Sequence, residues 1–224
     1  MMKTLTFSFC FALLSTTASM AQYLPLGAIT SWADGYVVTT ENDTIRGKVR
    51  VNTMVNDAPA SIVVRLTDDK KVTFKGEKLR LVTQDIPKFA YTTGAIPRER
   101  EQIVFERVPN PRKDGKTALL ERLSHPGKIT LYFDANGWKK NAEYTFGNFT
   151  IATNPKDLSF VVVKDQTNAR IVKKGTFDDE HEALFGDCPA FVQKFPAATR
   201  RDWKRFGDLV ESYNQTCVVG VAVN

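Results

Sequence analysis

Cysteine and histidine are scarce in this chain, with three Cys and two His among 224 residues. That shortage argues against structural zinc sites, which usually draw their ligands from those two residue types. His125 precedes Pro126 in a turn, and His181 stands inside Asp178-Asp179-Glu180-His181-Glu182. A helix spreads consecutive residues around its axis, because only positions one turn apart share a face. The cluster therefore reads as the acidic first turn of a helix, favoured by the positive end of the dipole. H-E-x-x-H, G-x-S-x-G and the phosphate-binding G-x-x-x-x-G-K-[ST] are all missing. No metal, cofactor or catalytic activity is expected on this basis. The paired carboxylates of a glycoside hydrolase meet only in the folded chain, so a hydrolase stays as the third reading.

Long apolar runs are missing beyond the N-terminus. Leu5 to Leu14 is apolar apart from small polar residues, Lys3 precedes it, and Ser19-Met20-Ala21 offers a cleavage signal before Gln22. That order is a secretory signal peptide over residues 1–21, too short to span a bilayer. Cys10 leaves with it. No Cys directly follows the small-residue site, as it would in a bacterial lipoprotein. The mature protein is expected to be periplasmic, outer-membrane-associated or extracellular. Losing Lys3 and no acid lowers the formal charge from +6 to +5. That is too little to mark a nucleic-acid binder, and no later stretch is apolar enough for a membrane span.

What the chain does contain is alternation. From Gly35 to Val51, Ile45, Gly47, Val49 and Val51 point one way while Thr44, Arg46, Lys48 and Arg50 point the other. Period two marks a half-buried strand. Tyr36 to Thr40 reads as its partner, across turn chemistry at Glu41-Asn42-Asp43. Ser61 to Thr83 reads as a meander, with turns at Asp68-Asp69 and Gly76-Glu77 and an inner row continuing through Leu79 and Leu81. Lys88 to Thr93 is a candidate edge strand, and Glu101 to Val108 a stronger one with Ile103 and Phe105 on one face. A loop at Asn110 to Gly115 precedes strands over Lys116 to Leu123 and Lys128 to Asp134. Ile129, Leu131 and Phe133 form the inner face of the second of these. Asn136-Gly137 is the strongest hairpin signal in the chain, so Trp138 onward is expected to return. Leu158 to Lys164 is apolar on both faces, as a central strand would be, and Asn168 to Lys173 pairs with it.

At Gly175 the pattern changes to helices. Thr176 reads as an N-cap with an acid at the third helical position, and Gly186 as a stop. Asp187-Cys188-Pro189 opens a second helix with Pro in its first turn, and Thr199 to Asp202 opens the last. Trp203, Phe206, Val210, Tyr213 and Cys217 fall at helical spacing on one face. Cys188 and Cys217, an even pair in an exported chain, read as one disulfide. The fold class is thus α+β and mainly β. An antiparallel sandwich or barrel over 22–175 is followed by a helical tail of two or three helices over 176–224, clipped by that bond and packed on the β domain.

The order of parts resembles a group of small exported proteins of Bacteroidetes-type bacteria. The resemblance rests on Gly35-Tyr36-Val37-Val38, Asp43-Thr44-Ile45 with Gly47, Val72-Thr73-Phe74-Lys75, Leu120-Glu121-Arg122-Leu123 and Ile129-Thr130-Leu131-Tyr132. It extends to Asp187-Cys188-Pro189 and to Tyr213-Asn214 with Cys217. It implies export and a β-rich body with a helical tail, and it carries no activity. Asn42 departs from the group, which usually has Gly in that turn.

Two basic clusters stand out. Arg200, Arg201, Lys204 and Arg205 flank the last helix, and Arg112, Lys113 and Lys116 crowd one loop. The first group is the candidate anion-binding site, open to an anionic envelope glycan or another envelope protein, but the favoured reading is the solvated polar flank that an amphipathic helix ordinarily carries, and no partner is assigned. Thr44 within Asp43-Thr44-Ile45 matches a bacterial O-glycosylation acceptor. Asn42, Asn148 and Asn214 fit N-x-T sequons, which matter only in a eukaryotic secretory path. The first functional reading is a non-catalytic envelope protein with a binding or structural role. The second is a calycin-like small-molecule carrier, whose cavity of roughly 300 Å³ or more would be lined by Ile129, Leu131 and Phe133. Export has a direct test in the intact mass of protein recovered from its native envelope. The expected mass begins at Gln22, and a mass that includes residues 1–21 would contradict it.

Overall fold

The computed structural model describes residues 23, 25–56, 58–94, 96–137, 142–146, 149–153, 159–197 and 202–218. The expected leader, with Cys10, lies outside them. The fold is α+β and mainly β. Strands β1 (Ala33–Thr39), β2 (Thr44–Val55), β3 (Ala58–Arg65), β4 (Lys71–Lys75), β5 (Leu79–Asp85), β6 (Gln102–Pro109) and β7 (Thr117–Glu121) form one antiparallel sheet in the order β4-β3-β2-β1-β5-β6-β7. The sheet curls into a half-barrel. β8 (Ile129–Phe133), β11 (Ser159–Lys164) and β12 (Asn168–Lys173) form a second sheet in the order β12-β11-β8, and β9 (Ala142–Phe146) pairs with β10 (Phe149–Thr153). Helices α1 (Phe177–Phe185), α2 (Pro189–Lys194) and α3 (Phe206–Val218) follow.

The β1–β2 hairpin forms as the alternation predicts, with Val37 opposite Ile45 and Tyr36 opposite Arg46. Asn42 adopts a left-handed φ of 72°. Asn tolerates that region, so the departure from Gly leaves the turn intact. Gly35 and Gly47 face each other across the pair. A Cβ on Gly35 would meet the Thr83 carbonyl at 2.2 Å, and one on Gly47 the Arg65 carbonyl at 2.3 Å. Absent side chains thus let neighbouring backbone close in where the sheet curls.

The sheet departs from the expected meander. β4 is an edge strand, and β5 pairs with β1. Gly76–Lys78 is a 3-10 turn, not a hairpin turn, and carries the chain to the far side of β1. Arg107 on β6 donates to the carbonyls of Gly76 and Leu79, fixing that crossing. A bulge between Val38 and Thr39 shifts the register. Leu79 and Val82 therefore enter the core, while Leu81 pairs with Val38 outside that row. Lys88–Thr93 is a 3-10 turn ending on left-handed Gly94, not an edge strand. Asn136-Gly137 lies in a 3-10 turn over Ala135–Gly137, with the Asn136 N–H on the Asp134 carboxylate. β8 pairs with β11 there, and the returning segment pairs with β10 instead.

One core lies inside the half-barrel. Val37, Val49, Ile62, Val64, Leu79, Val82 and Ile103 are fully buried there, with Phe105 and Val51 nearly so. Each such side chain contributes about 1.5 to 3 kcal/mol by leaving water. Leu26 and Ile29 of the N-terminal segment join this core. Gln84 holds Ile29 at two points, accepting its N–H at 2.9 Å and donating to its carbonyl at 2.8 Å. Glu121 accepts the N–H groups of Leu26 and Gly27 at 2.8 and 2.9 Å.

The second core lies between the three-stranded sheet and the helices. β11 is central and buried, as its two apolar faces predict. Ile129 and Leu131 pack with Phe160, Phe177, Phe185, Phe191, Phe206, Val210 and Tyr213, so the row assigned to a barrel interior faces the tail. Trp203 and Phe206 stack with centroids 5.6 Å apart, and Phe177 meets Phe206 edge-on at 4.9 Å. Thr176 does not cap α1 with its side chain; the hydroxyl donates to the Lys173 carbonyl. A 3-10 turn, Asp202–Arg205, precedes α3, and the expected opening at Thr199 to Arg201 lies outside the described residues. Asn214 on α3 accepts the Ile129 N–H at 2.9 Å and donates to its carbonyl at 2.8 Å. Tyr23 lies against Gly207, where any Cβ would strike its ring.

Cys188 and Cys217 are bonded, with Cα atoms 6.0 Å apart. Closing a loop between cysteines 29 residues apart in sequence is worth about 3 to 4 kcal/mol in the chain-entropy model. Because the helices share their core with β8, β11 and β12, Cys217→Ser is expected to weaken helices and three-stranded sheet together. Urea unfolding followed by hydrogen exchange should show both losing protection by up to that amount, with the seven-stranded sheet unchanged. Unchanged protection of the helices would contradict the expectation.

Candidate functional site

Several charges at the junctions between elements are paired with one another. Asp187, between α1 and α2, accepts Lys164 Nζ and Tyr213 Oη on one oxygen, both at 2.8 Å, and meets Lys128 Nζ at 2.7 Å on the other. Lys164 Nζ also donates to the Leu184 carbonyl at 2.8 Å, near the C-terminal end of α1. Burial pushes the Asp187 carboxyl up, but the bonds from Lys128, Lys164 and Tyr213 outweigh it and hold the group well below the usual carboxylate range. Burial and the same Asp187 push the Tyr213 hydroxyl up to about 12.

Asp134 takes Arg112 through both oxygens, at 2.7 and 2.8 Å, and Ser159 Oγ at 2.6 Å. Burial again opposes ionisation, and Arg112 and Ser159 together overcome it, so the Asp134 pKa is lowered. Arg100 meets Glu121 at 2.7 Å. These groups tie elements together. Asp187 links β8, β11 and α3, and Asp134 links β8 to the Asn110–Gly115 loop.

Arg200 and Arg201 lie outside the described residues, and Lys204 and Arg205 are exposed on the turn before α3. Arg112 is committed to Asp134, whereas Lys113 and Lys116 are exposed. Thr44 is exposed at the first position of β2. Asn42 is exposed, Asn214 is buried and engaged with Ile129, and Asn148 is not among the described residues. His125 Nδ1 lies 3.1 Å from Glu211, and the buried His181 has Nε2 3.0 Å from the Phe195 carbonyl. The described concavities are surface grooves, including one of about 600 Å³ between the Lys88–Thr93 turn and β6. Another, of about 630 Å³, runs along β3 and β7 past Arg107 and Asp134.

The arrangement that sequence reading missed is on the outer face of β1 to β4. Register places Arg46, Lys48 and Arg50 of β2, Arg65 of β3 and Lys71 and Lys75 of β4 in its outward rows. Asp34 of β1 shares these rows and pairs with Lys48 at 2.7 Å, and Asp69, in the turn after β3, approaches Arg65 at 3.8 Å. Trp32 lies just ahead of β1. The guanidinium carbons of Arg50 and Arg65 sit 4.8 and 5.1 Å from its ring centroid, and that of Arg46 sits 4.8 Å from the Tyr36 ring. Such stacking is worth about 0.5 to 1 kcal/mol at an exposed site. The Thr44-Arg46-Lys48-Arg50 row was legible in the alternation. Its extension across β3 and β4 needed the strand order.

No family model, curated protein or solved structure matches the chain.

The Asp187 cluster predicts an acid dependence. Its folded carboxyl is depressed, so its stabilisation is present above the unfolded pKa and is lost as pH falls toward the folded one. Asp187→Asn should cost about 1 kcal/mol at pH 7. That figure is held low because the side chain is 39% exposed. The gap between wild type and variant should be flat down to about pH 4 and close below it. Urea unfolding across that range measures it, and a gap that widens toward low pH would contradict the assignment.

Proposed function

We propose that this protein is an exported component of the cell envelope with a binding or structural role, and that it acts through its outer surface. The observation that carries the proposal is the Cys188–Cys217 disulfide, which joins α2 to α3 within the second core. Disulfides of this kind persist in oxidising compartments. The use of the interiors supports the non-catalytic part of the reading. Ile129 and Leu131, which would line a carrier's cavity, are wholly buried against helices, and Glu121, Asp134 and Asp187 are each paired with a cation. Thr44 is exposed, which leaves it accessible to O-glycosylation in the same compartment.

The test is fractionation of native cells with thiol-blocking before lysis. The expected result is protein in the envelope or extracellular fraction, with Cys188 and Cys217 unmodified by the blocking reagent. Protein in the cytoplasmic fraction with both thiols blocked would overturn the proposal. A carrier would instead yield a stoichiometric small molecule on denaturing the native protein.

A further inference from the structure

The outward rows of β1 to β4 gather six cations, Arg46, Lys48, Arg50, Arg65, Lys71 and Lys75, around Trp32 and Tyr36. From this face we infer a binding site for a polyanionic polysaccharide bearing carboxylate or phosphate groups. The inference names a ligand for the binding role proposed above, but binding itself can be measured wherever the protein resides.

Of the acids near these rows, Asp34 neutralises Lys48 and Asp69 approaches Arg65. Among the described residues, Arg46, Arg50, Lys71 and Lys75 have no ion-pair partner, and Arg46 and Arg50 donate no hydrogen bond. Arg50 Nε is buried without an acceptor, so a ligand meets this side chain at its terminal nitrogens. Folding therefore leaves cationic donors unused here, whereas Asp187, Asp134 and Glu121 each draw their cations into pairs.

Geometry narrows the ligand. Alternate residues on a strand lie about 7 Å apart and neighbouring strands about 4.8 Å apart, so the cations form a regular grid that follows the curl of the sheet. A repeating anion on an extended chain can meet several at once. Trp32 holds Arg50 and Arg65 by stacking, and Tyr36 holds Arg46. A stacked guanidinium keeps its planar fork ready for bidentate bonds to carboxylate or phosphate. Ordering it before binding lowers the entropy cost of association.

A lipid surface fits less well. The exposed large apolar residues among those described are Val55, at the end of β2, and Phe89, in the turn after β5. Neither provides an apolar anchor in the middle of the cationic rows.

The test measures binding of full-length mature protein to polygalacturonate and to a phosphorylated mannan. Neutral dextran, acidic phospholipid vesicles and duplex DNA serve as comparisons. Binding to at least one anionic polysaccharide, weakening as salt shortens the screening length, is expected, with little binding to dextran, vesicles or DNA. Arg50→Gln with Arg65→Gln should weaken it by about thirtyfold. Lys204→Gln with Arg205→Gln should leave it within about twofold, since those charges lie outside the grid. The decisive variants keep net charge constant. Trp32→Leu should weaken binding about tenfold through loss of both stacks. Arg50→Lys with Arg65→Lys should do the same through loss of the forks and keeps a second readout should Trp32→Leu fail to fold. Wild-type affinity in the folded charge-conserving variants would overturn the inference. So would binding to vesicles or DNA with no binding to either anionic polysaccharide. Cytoplasmic localisation would defeat the envelope proposal and leave these affinities as measured.

Discussion

Asn214 makes two buried hydrogen bonds to the backbone of Ile129, and the helical half of the molecule is arranged around them. Ile129 begins β8, an edge strand of the second sheet. Leaving its N–H and carbonyl without partners in a buried site would cost about 1 to 3 kcal/mol each. A single carboxamide supplies the donor and acceptor that a further strand would have supplied. That fixes α3 against β8, and the rest follows from helical spacing. Tyr213, Val210 and Phe206 fall onto the apolar face of β8 and β11, and Cys217, one turn after Tyr213, comes within bonding distance of Cys188. Gly127 belongs to the same arrangement, since a Cβ there would strike the Asn214 amide.

The first core uses the same device. Gln84 binds both backbone groups of Ile29, and Glu121 takes the N–H groups of Gly27 and Leu26 upstream. The N-terminal segment is thereby held against the half-barrel without becoming a strand. Its far end carries Tyr23 onto Gly207 of α3, so this short segment touches both cores. Buried amides and carboxylates thus serve where the regular ladder runs out. That accounts for polar residues at positions whose neighbours are fully apolar.

Local features of the fold were legible in the sequence. The β1–β2 alternation, the doubly apolar β11, the helical stripe from Trp203 to Cys217 and the cysteine pair each depend on neighbours in sequence or on compartment chemistry. Features set by distant partners were not. Gly76-Glu77 has good hairpin chemistry, yet the open edge of β1 takes β5. Asn136-Gly137 has better, yet Asp134 binds the turn and β11 occupies the edge of β8. A propensity for a turn does not say which strands it joins. The outer cationic face was half legible for the same reason. Its β2 row shows in period two, but Arg65 and Lys71 join it only through strand order, and Trp32, just ahead of β1, through its contacts with Arg50 and Arg65.

Among the described residues both cores are built of buried apolar side chains, and Arg46, Arg50, Lys71 and Lys75 on the outer face of β1 to β4 have no ion-pair partner. The helices form a structural layer of the second sheet, sharing its core with β8, β11 and β12. Residue-resolved native-state hydrogen exchange on the oxidised protein tests this most directly. If the account holds, the amides of Ile129, Leu131 and Val162 share one opening free energy with those of Val210 to Asn214, and Asn214→Ala lowers both sets together. Helix amides that open well below the strand amides, or a substitution that moves only one set, would contradict it.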